Sequence, residues 1–118
     1  MQSNIEELIK IVQAFCEERD WDQYHNPKDL AIGLSTESNE LLDLFRFKSD
    51  EQMKIMMQDD AMRERISEEL ADILFFLIRF SQLYDFDMIR GLMDKVEKNG
   101  KKYPVEKVKG KNLKYTEY

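Results

Sequence analysis

The chain has 118 residues, of which 42% are hydrophobic and 36% charged, with a formal net charge of −6 and one cysteine. This bounds it to a single domain, residues 1–118, and excludes a disordered tail, an intrachain disulfide, a cysteine-rich zinc site and a basic surface for nucleic acid polymers. No run of about 18 apolar residues and no export signal is present, so no membrane association and a cytoplasmic location are expected.

Four glycines and two prolines leave few turns, so long helices are expected. Ser3-Asn4-Ile5-Glu6 matches a capping box with Ser3 as N-cap, and Ile5, Leu8, Ile9, Val12 and Phe15 follow at helical spacing through Arg19. Cys16, inside that pattern, reads as a small buried hydrophobe. The segment Asp20 to Asn26 breaks the period and reads as a loop. Asn26 as N-cap and Pro27 in the first turn start a second helix through Leu30, Leu34, Leu41 and Phe45 to about Phe47.

Ser49-Asp50 caps a short helix with Met53, Met56 and Met57, and Asp59-Asp60 is either a break or the next cap. The third long helix carries Ile66, Leu70, Ile73, Leu74, Leu77, Ile78 and Phe80. Its apolar residues exceed one narrow stripe, as in a central bundle helix or an interface between copies. A turn at Tyr84 to Asp87 leads to a fourth helix, Met88 to Lys98, closed by Asn99-Gly100. The lysine-rich remainder reads as an irregular tail. The expected fold is all-α, a helical bundle with four main helices.

Two acidic pairs stand out: Glu37-x-x-Glu40 on the second helix and Glu69-x-x-Asp72 on the third. Residues three apart share a helix face, so each pair projects as a fork. Leu34, Leu41 and Leu44 flank the first fork, and Leu70, Ile73 and Leu74 the second. Carboxylates that close to a buried face are costly unless a positive charge compensates them. An all-oxygen set suits a hard cation such as Mg²⁺. A di-iron bundle would use Glu-x-x-His pairs, and the single histidine, His25, lies outside both forks. On spacing alone, a solvated helix surface and a metal site both stay open.

In chain order, the forks sit among Glu17-Glu18-Arg19-Asp20-Trp21-Asp22-Gln23-Tyr24-His25-Asn26-Pro27, Glu37 to Phe47, Glu68 to Asp72, Lys98-Asn99-Gly100-Lys101-Lys102-Tyr103-Pro104 and Lys114-Tyr115-Thr116-Glu117. That series resembles the MazG-like all-α nucleoside triphosphate pyrophosphohydrolases, on the dCTP pyrophosphatase branch. The resemblance implies Mg²⁺-dependent hydrolysis of a (deoxy)nucleoside triphosphate, such as dCTP or a modified dCTP, to the monophosphate and pyrophosphate for nucleotide-pool clean-up. It implies Glu37, Glu40, Glu69 and Asp72 as metal ligands, with Glu37 or Glu40 as the catalytic base.

It also implies that Trp21 and His25 enclose the base and sugar, that Asn99 approaches the nucleotide, and that Lys95, Lys102 and Tyr103 meet phosphates. Phe47 and Phe76 complete the substrate set. Phe47 stands where relatives often carry Trp, and Phe76 where they often carry Tyr, which removes a hydroxyl. A homodimer or homotetramer is implied as well. The reading from another class is a non-catalytic helical interaction protein that retains a divalent metal site.

Overall fold

The structure, a computed structural model, describes residues 4–112 and 114–117. Among the described residues every regular element is helical. The chain divides into two compact units, Met1–Asp85 and Phe86–Tyr118.

The first unit holds α1 (Ile5–Glu18), a 3₁₀ turn at Asp22–Tyr24, α2 (Pro27–Phe45), α3 (Asp50–Met56) and α4 (Asp60–Leu83). Each helix starts where a short polar side chain accepts an otherwise unpaired backbone N–H. Asn4 Oδ1 accepts from Glu7 N at 2.9 Å, and Asn26 Oδ1 from Asp29 N at 2.8 Å. Ser49 and Gln52 form a reciprocal capping box, and Asp59 Oδ2 accepts from Met62 N at 2.9 Å. Asp59 is therefore a cap. The cap of α1 is Asn4, and the expected Ser3 cap lies outside the described residues.

The exit from α1 shapes the turn into α2. Asp20 adopts φ 57°, the left-handed region. Asp20 N donates to Glu17 O at 3.0 Å and Trp21 N to Cys16 O at 3.0 Å. This is a Schellman closure, with Asp in the place more often taken by Gly. Its accompanying apolar contact is the edge-to-face pair Phe15–Trp21, with ring centroids 5.5 Å apart.

Helix α4 is the central element, with α2 and α1 packed along it. Buried apolar side chains come from each helix of the unit: Cys16, Leu30, Met56, Ile66 and Ile78. Cys16 is fully enclosed, as expected of a small hydrophobe. Leu70, Leu74 and Leu77 on α4 remain substantially exposed in the single chain, so the broad apolar surface of α4 is only partly covered.

The second unit holds α5 (Met88–Lys102), α6 (Val105–Val108) and a 3₁₀ turn at Tyr115–Glu117. Asp87 Oδ1 caps α5 by accepting from Arg90 N at 3.0 Å. Two expectations are corrected here. Asn99-Gly100 does not close the helix, because Tyr103 N donates to Asn99 O at 2.8 Å and carries the helix to Lys102. The stop comes at the Tyr103-Pro104 step, where Pro restricts the residue before it to extended backbone. The segment after Lys101 is not wholly irregular either, since Pro104 starts the short α6. The all-α expectation holds, and the short helix expected around Met53 to Met57 is α3, which brings the substantial helices among the described residues to five.

Candidate active site

Gly33 on α2 faces the ring of Phe76 on α4. One turn further along α2, Glu37 joins Glu69, which precedes Phe76 on α4. Moving forward along α2 thus means moving backward along α4, so the helices run antiparallel and their acidic forks face each other. One carboxylate oxygen each from Glu37, Glu40 and Glu69 lies within 4.8 Å of the others. Asp72 stands outside that tight trio, and its charge acts on both Glu37 and Glu69.

Glu37 and Glu69 are half-buried. Their Oε2 atoms are fully enclosed and accept no hydrogen bond. Among the described residues, the ion pairs use other acids: Glu18, Asp22, Asp43, Glu51 and Asp94. The acids in the forks are left to repel one another. The Glu37 carboxyl is pushed up to about 7, first because its neutral form hydrogen-bonds with Glu40, then by burial and by the charges of Glu40, Asp72 and Glu69. That bond needs a proton on one carboxyl. With both ionised, neither can donate. The Glu69 carboxyl is raised by burial first, then by its hydrogen bond with Glu40 and by the neighbouring charges.

Two enclosed carboxylate oxygens without donors, in an all-oxygen set, fit a hard divalent cation. Such a group would supply the missing positive charge.

Beside the acids lies a cavity of about 380 Å³, lined by Ile11, Val12, Phe15, Trp21, Asp72, Phe75 and Phe76. Its walls come from α1, the turn after α1, and α4. Asp72 belongs both to this lining and to the electrostatic field of the forks, so it marks the boundary between them. Phe75 meets Phe15 and Phe76 edge-on, with centroids 6.1 and 5.6 Å apart. An open, aromatic-walled cavity next to clustered acids can hold a planar apolar group while a cation-bound, charged group sits beside it.

The other sequence-derived residues fall in three places. Trp21 and Phe76 line the cavity. His25 does not: its Nδ1 accepts from Arg79 Nε at 2.9 Å, and burial, then the Arg79 charge, lower its pKa. Phe47 is exposed beyond the end of α2, with the Arg46 guanidinium over its ring at 4.9 Å. Lys95, Asn99 and Lys102 lie on α5, and Tyr103 at its end, all in the second unit.

Several residues escaped sequence reasoning. Val12 and Phe15 read only as part of the helical period of α1, Ile11 and Phe75 drew no reading, and only packing shows that the four surround a space. Arg79 gave no signal at all, being one arginine in an apolar run. It is 1% exposed.

The MazG-like family model matches residues 32–118. The dCTP pyrophosphatase 1 of Rattus norvegicus is 32% identical over 116 residues, covering 98% of this chain and 68% of that protein. The dCTP pyrophosphatase 1 of Homo sapiens is 29% identical over the same length, with 98% and 68% covered. Among solved structures, a pyrophosphatase from Archaeoglobus fulgidus DSM 4304 superposes with a TM-score of 0.76 at 34% identity, covering 88% of this chain and 95% of that one.

Proposed function

This chain belongs to the MazG-like family, and from that premise we propose that it cleaves a nucleoside triphosphate between the α and β phosphates, releasing the monophosphate and pyrophosphate. The enzyme class, a nucleoside triphosphate pyrophosphohydrolase, follows from the family and the pyrophosphatase relatives. The finer reading is an Mg²⁺ enzyme whose substrate is a deoxynucleoside triphosphate of the cytosine type, dCTP or a modified dCTP, in nucleotide-pool clean-up. The cation part is carried by the convergence of Glu37, Glu40 and Glu69 within 4.8 Å, with two enclosed unpaired oxygens, beside an aromatic cavity, and the cytosine type is supported by the dCTP pyrophosphatase relatives.

Glu37, Glu40, Glu69 and Asp72 would hold the cation, which would supply neutralisation of the triphosphate, polarisation of the α-phosphorus and acidification of the attacking water. Glu37 or Glu40, whichever carboxylate is not fully engaged by the cation, accepts the proton of that water. Trp21 and Phe76 clamp the base, and Asp72 lies where base-side and phosphate-side chemistry meet.

The remaining assignments rest on the family resemblance. Phe47 stacks on the nucleotide, His25 closes the sugar side, and Lys95, Asn99, Lys102 and Tyr103 approach the phosphates. The proposed domain is residues 1–118. The chain acts as a homodimer or homotetramer, because Leu70, Leu74 and Leu77 on α4 and Leu92, Met93 and Val96 on α5 leave apolar faces exposed in one copy. The enzyme works in the cytoplasm, in keeping with the finding that no described helix is long and apolar enough to cross a membrane.

The deciding experiment measures products from a panel of triphosphates with Mg²⁺ and with EDTA. Metal-dependent release of pyrophosphate and monophosphate is expected, and the ranking of the panel fixes the base. Orthophosphate release would place cleavage at the terminal phosphate and overturn the mechanism. Folded protein that turns over no triphosphate would favour the helical interaction protein.

A further inference from the structure

Among the described residues, the most enclosed charged group lies outside the proposed catalytic set. Arg79 on α4 is 1% exposed. Its guanidinium donates from Nε to His25 Nδ1 at 2.9 Å, from Nη1 to Gln82 Oε1 at 2.7 Å, and from Nη2 to Asp22 Oδ1. Gln82 Nε2 in turn donates to Ile9 O on α1 at 2.8 Å, and Tyr84 Oη donates to His25 O at 3.3 Å.

A buried guanidinium is expensive to desolvate and is retained only where its donors are well used. Here two of its three partners, Asp22 and His25, sit in the short turn between α1 and α2. Trp21, the residue before Asp22, is the wall that this turn contributes to the aromatic cavity. From the α1 side, Trp21 is held by its N–H to Cys16 O and by the Phe15 ring. From the α2 side, the turn is tied down through Arg79 on Asp22 and His25 and through the Tyr84 hydroxyl on His25 O, besides an edge contact of the His25 ring with Trp21 at 6.3 Å. Arg79 does not line the cavity.

We propose that Arg79 is a positioning residue for the nucleotide pocket: through Asp22 and His25 it holds the turn that presents Trp21 to the base. This rests on the functional reading above, in which Trp21 clamps the base. Because the base is remote from the reacting phosphorus, loosening Trp21 weakens ground state and transition state alike. The signature is a raised KM with little change in kcat.

The chain has a single tryptophan, so its fluorescence reports on position 21 alone. The test compares wild type with Arg79→Met, which keeps the bulk and removes the donors, and with Asp22→Asn, a milder break at a half-exposed partner. Acrylamide quenching of Trp21 without nucleotide is expected to rise in both, more in Arg79→Met. The triphosphate KM is expected to rise about tenfold in Arg79→Met, part of what base–aromatic stacking contributes. In a Trp21→Ala background, Arg79→Met should raise KM far less, the remainder acting through His25 on the sugar side, since the wall that Arg79 positions is gone.

Unchanged quenching in folded Arg79→Met, or a KM effect that persists undiminished without Trp21, would overturn the proposal. If Arg79→Met does not fold, the same two measurements on Asp22→Asn decide the matter by the same criteria. If the wild type turns over no triphosphate, the functional reading falls, and quenching alone decides whether Arg79 holds the turn.

Discussion

A Cβ placed on Gly33 would lie 2.4 Å from Cε1 of Phe76, across the α2–α4 interface. The missing side chain on α2 is therefore the seat of an aromatic ring on α4, and that ring is a wall of the cavity. Helix propensity favours alanine at such a position by about 1 kcal/mol, whereas overpacking a filled site costs about 1–3 kcal/mol. The steric effect wins. Gly33→Ala is expected to lower stability by about 1 kcal/mol in urea melts and to raise the triphosphate KM, because the ring is driven into the pocket. Adding Phe76→Leu to Gly33→Ala should recover the stability.

The acidic forks give the second prediction. Glu40→Gln and Asp72→Asn are expected to reduce kcat/KM at least about a hundredfold, since even outer-shell changes at metal sites cost ten- to a hundredfold. Far-ultraviolet circular dichroism should stay at wild-type helicity. A variant with full activity would remove that residue from the metal set.

Stability should depend on pH in an unusual direction for an acid. The Glu37 carboxyl is raised from 4.5 to about 7 in the folded chain, so between these values the folded state holds a proton that the unfolded state lacks. Its stabilising contribution is complete below about pH 4.5 and is lost as pH rises through about 7. The metal-free protein should therefore show a thermal midpoint that falls between pH 5 and pH 8 through this group. Mg²⁺ competes with that proton, so its stabilising effect in the same scans should be greater at pH 8 than at pH 5.5. An effect of Mg²⁺ independent of pH would disconnect Glu37 from cation binding.

Asp20 offers a test of the turn itself. Its φ of 57° disfavours residues with a Cβ by about 1–2 kcal/mol, less for Asp and Asn, whose short polar side chains can hydrogen-bond locally. Asp20→Gly is expected to raise stability by up to about 1 kcal/mol, and Asp20→Val to lower it by about 1–2 kcal/mol, in urea melts. If Asp20→Val melts like wild type, the left-handed closure of α1 is not as described.

Much of the fold was legible in the residues. Asn26, Ser49 and Asp59 each cap the helix that comes next, because a short polar side chain before an apolar period is a local signal read by the nearest backbone N–H groups. Asn99-Gly100 misled for the same reason in reverse. It is a frequent helix end, but the backbone bond to Tyr103 N overrode it and Pro104 set the stop.

The sequence by itself determined most of the helix starts and the two acidic forks, since three-residue spacing on a helix fixes a shared face whatever the helix packs against. Only the tertiary structure decided that Glu37, Glu40 and Glu69 converge while Asp72 stands at the cavity's edge. The same packing gave His25 to Arg79 and set Phe76 into the notch at Gly33. These are meetings between residues dozens of positions apart. They depend on the register with which α2 and α1 lie along α4, and no local periodicity encodes that register.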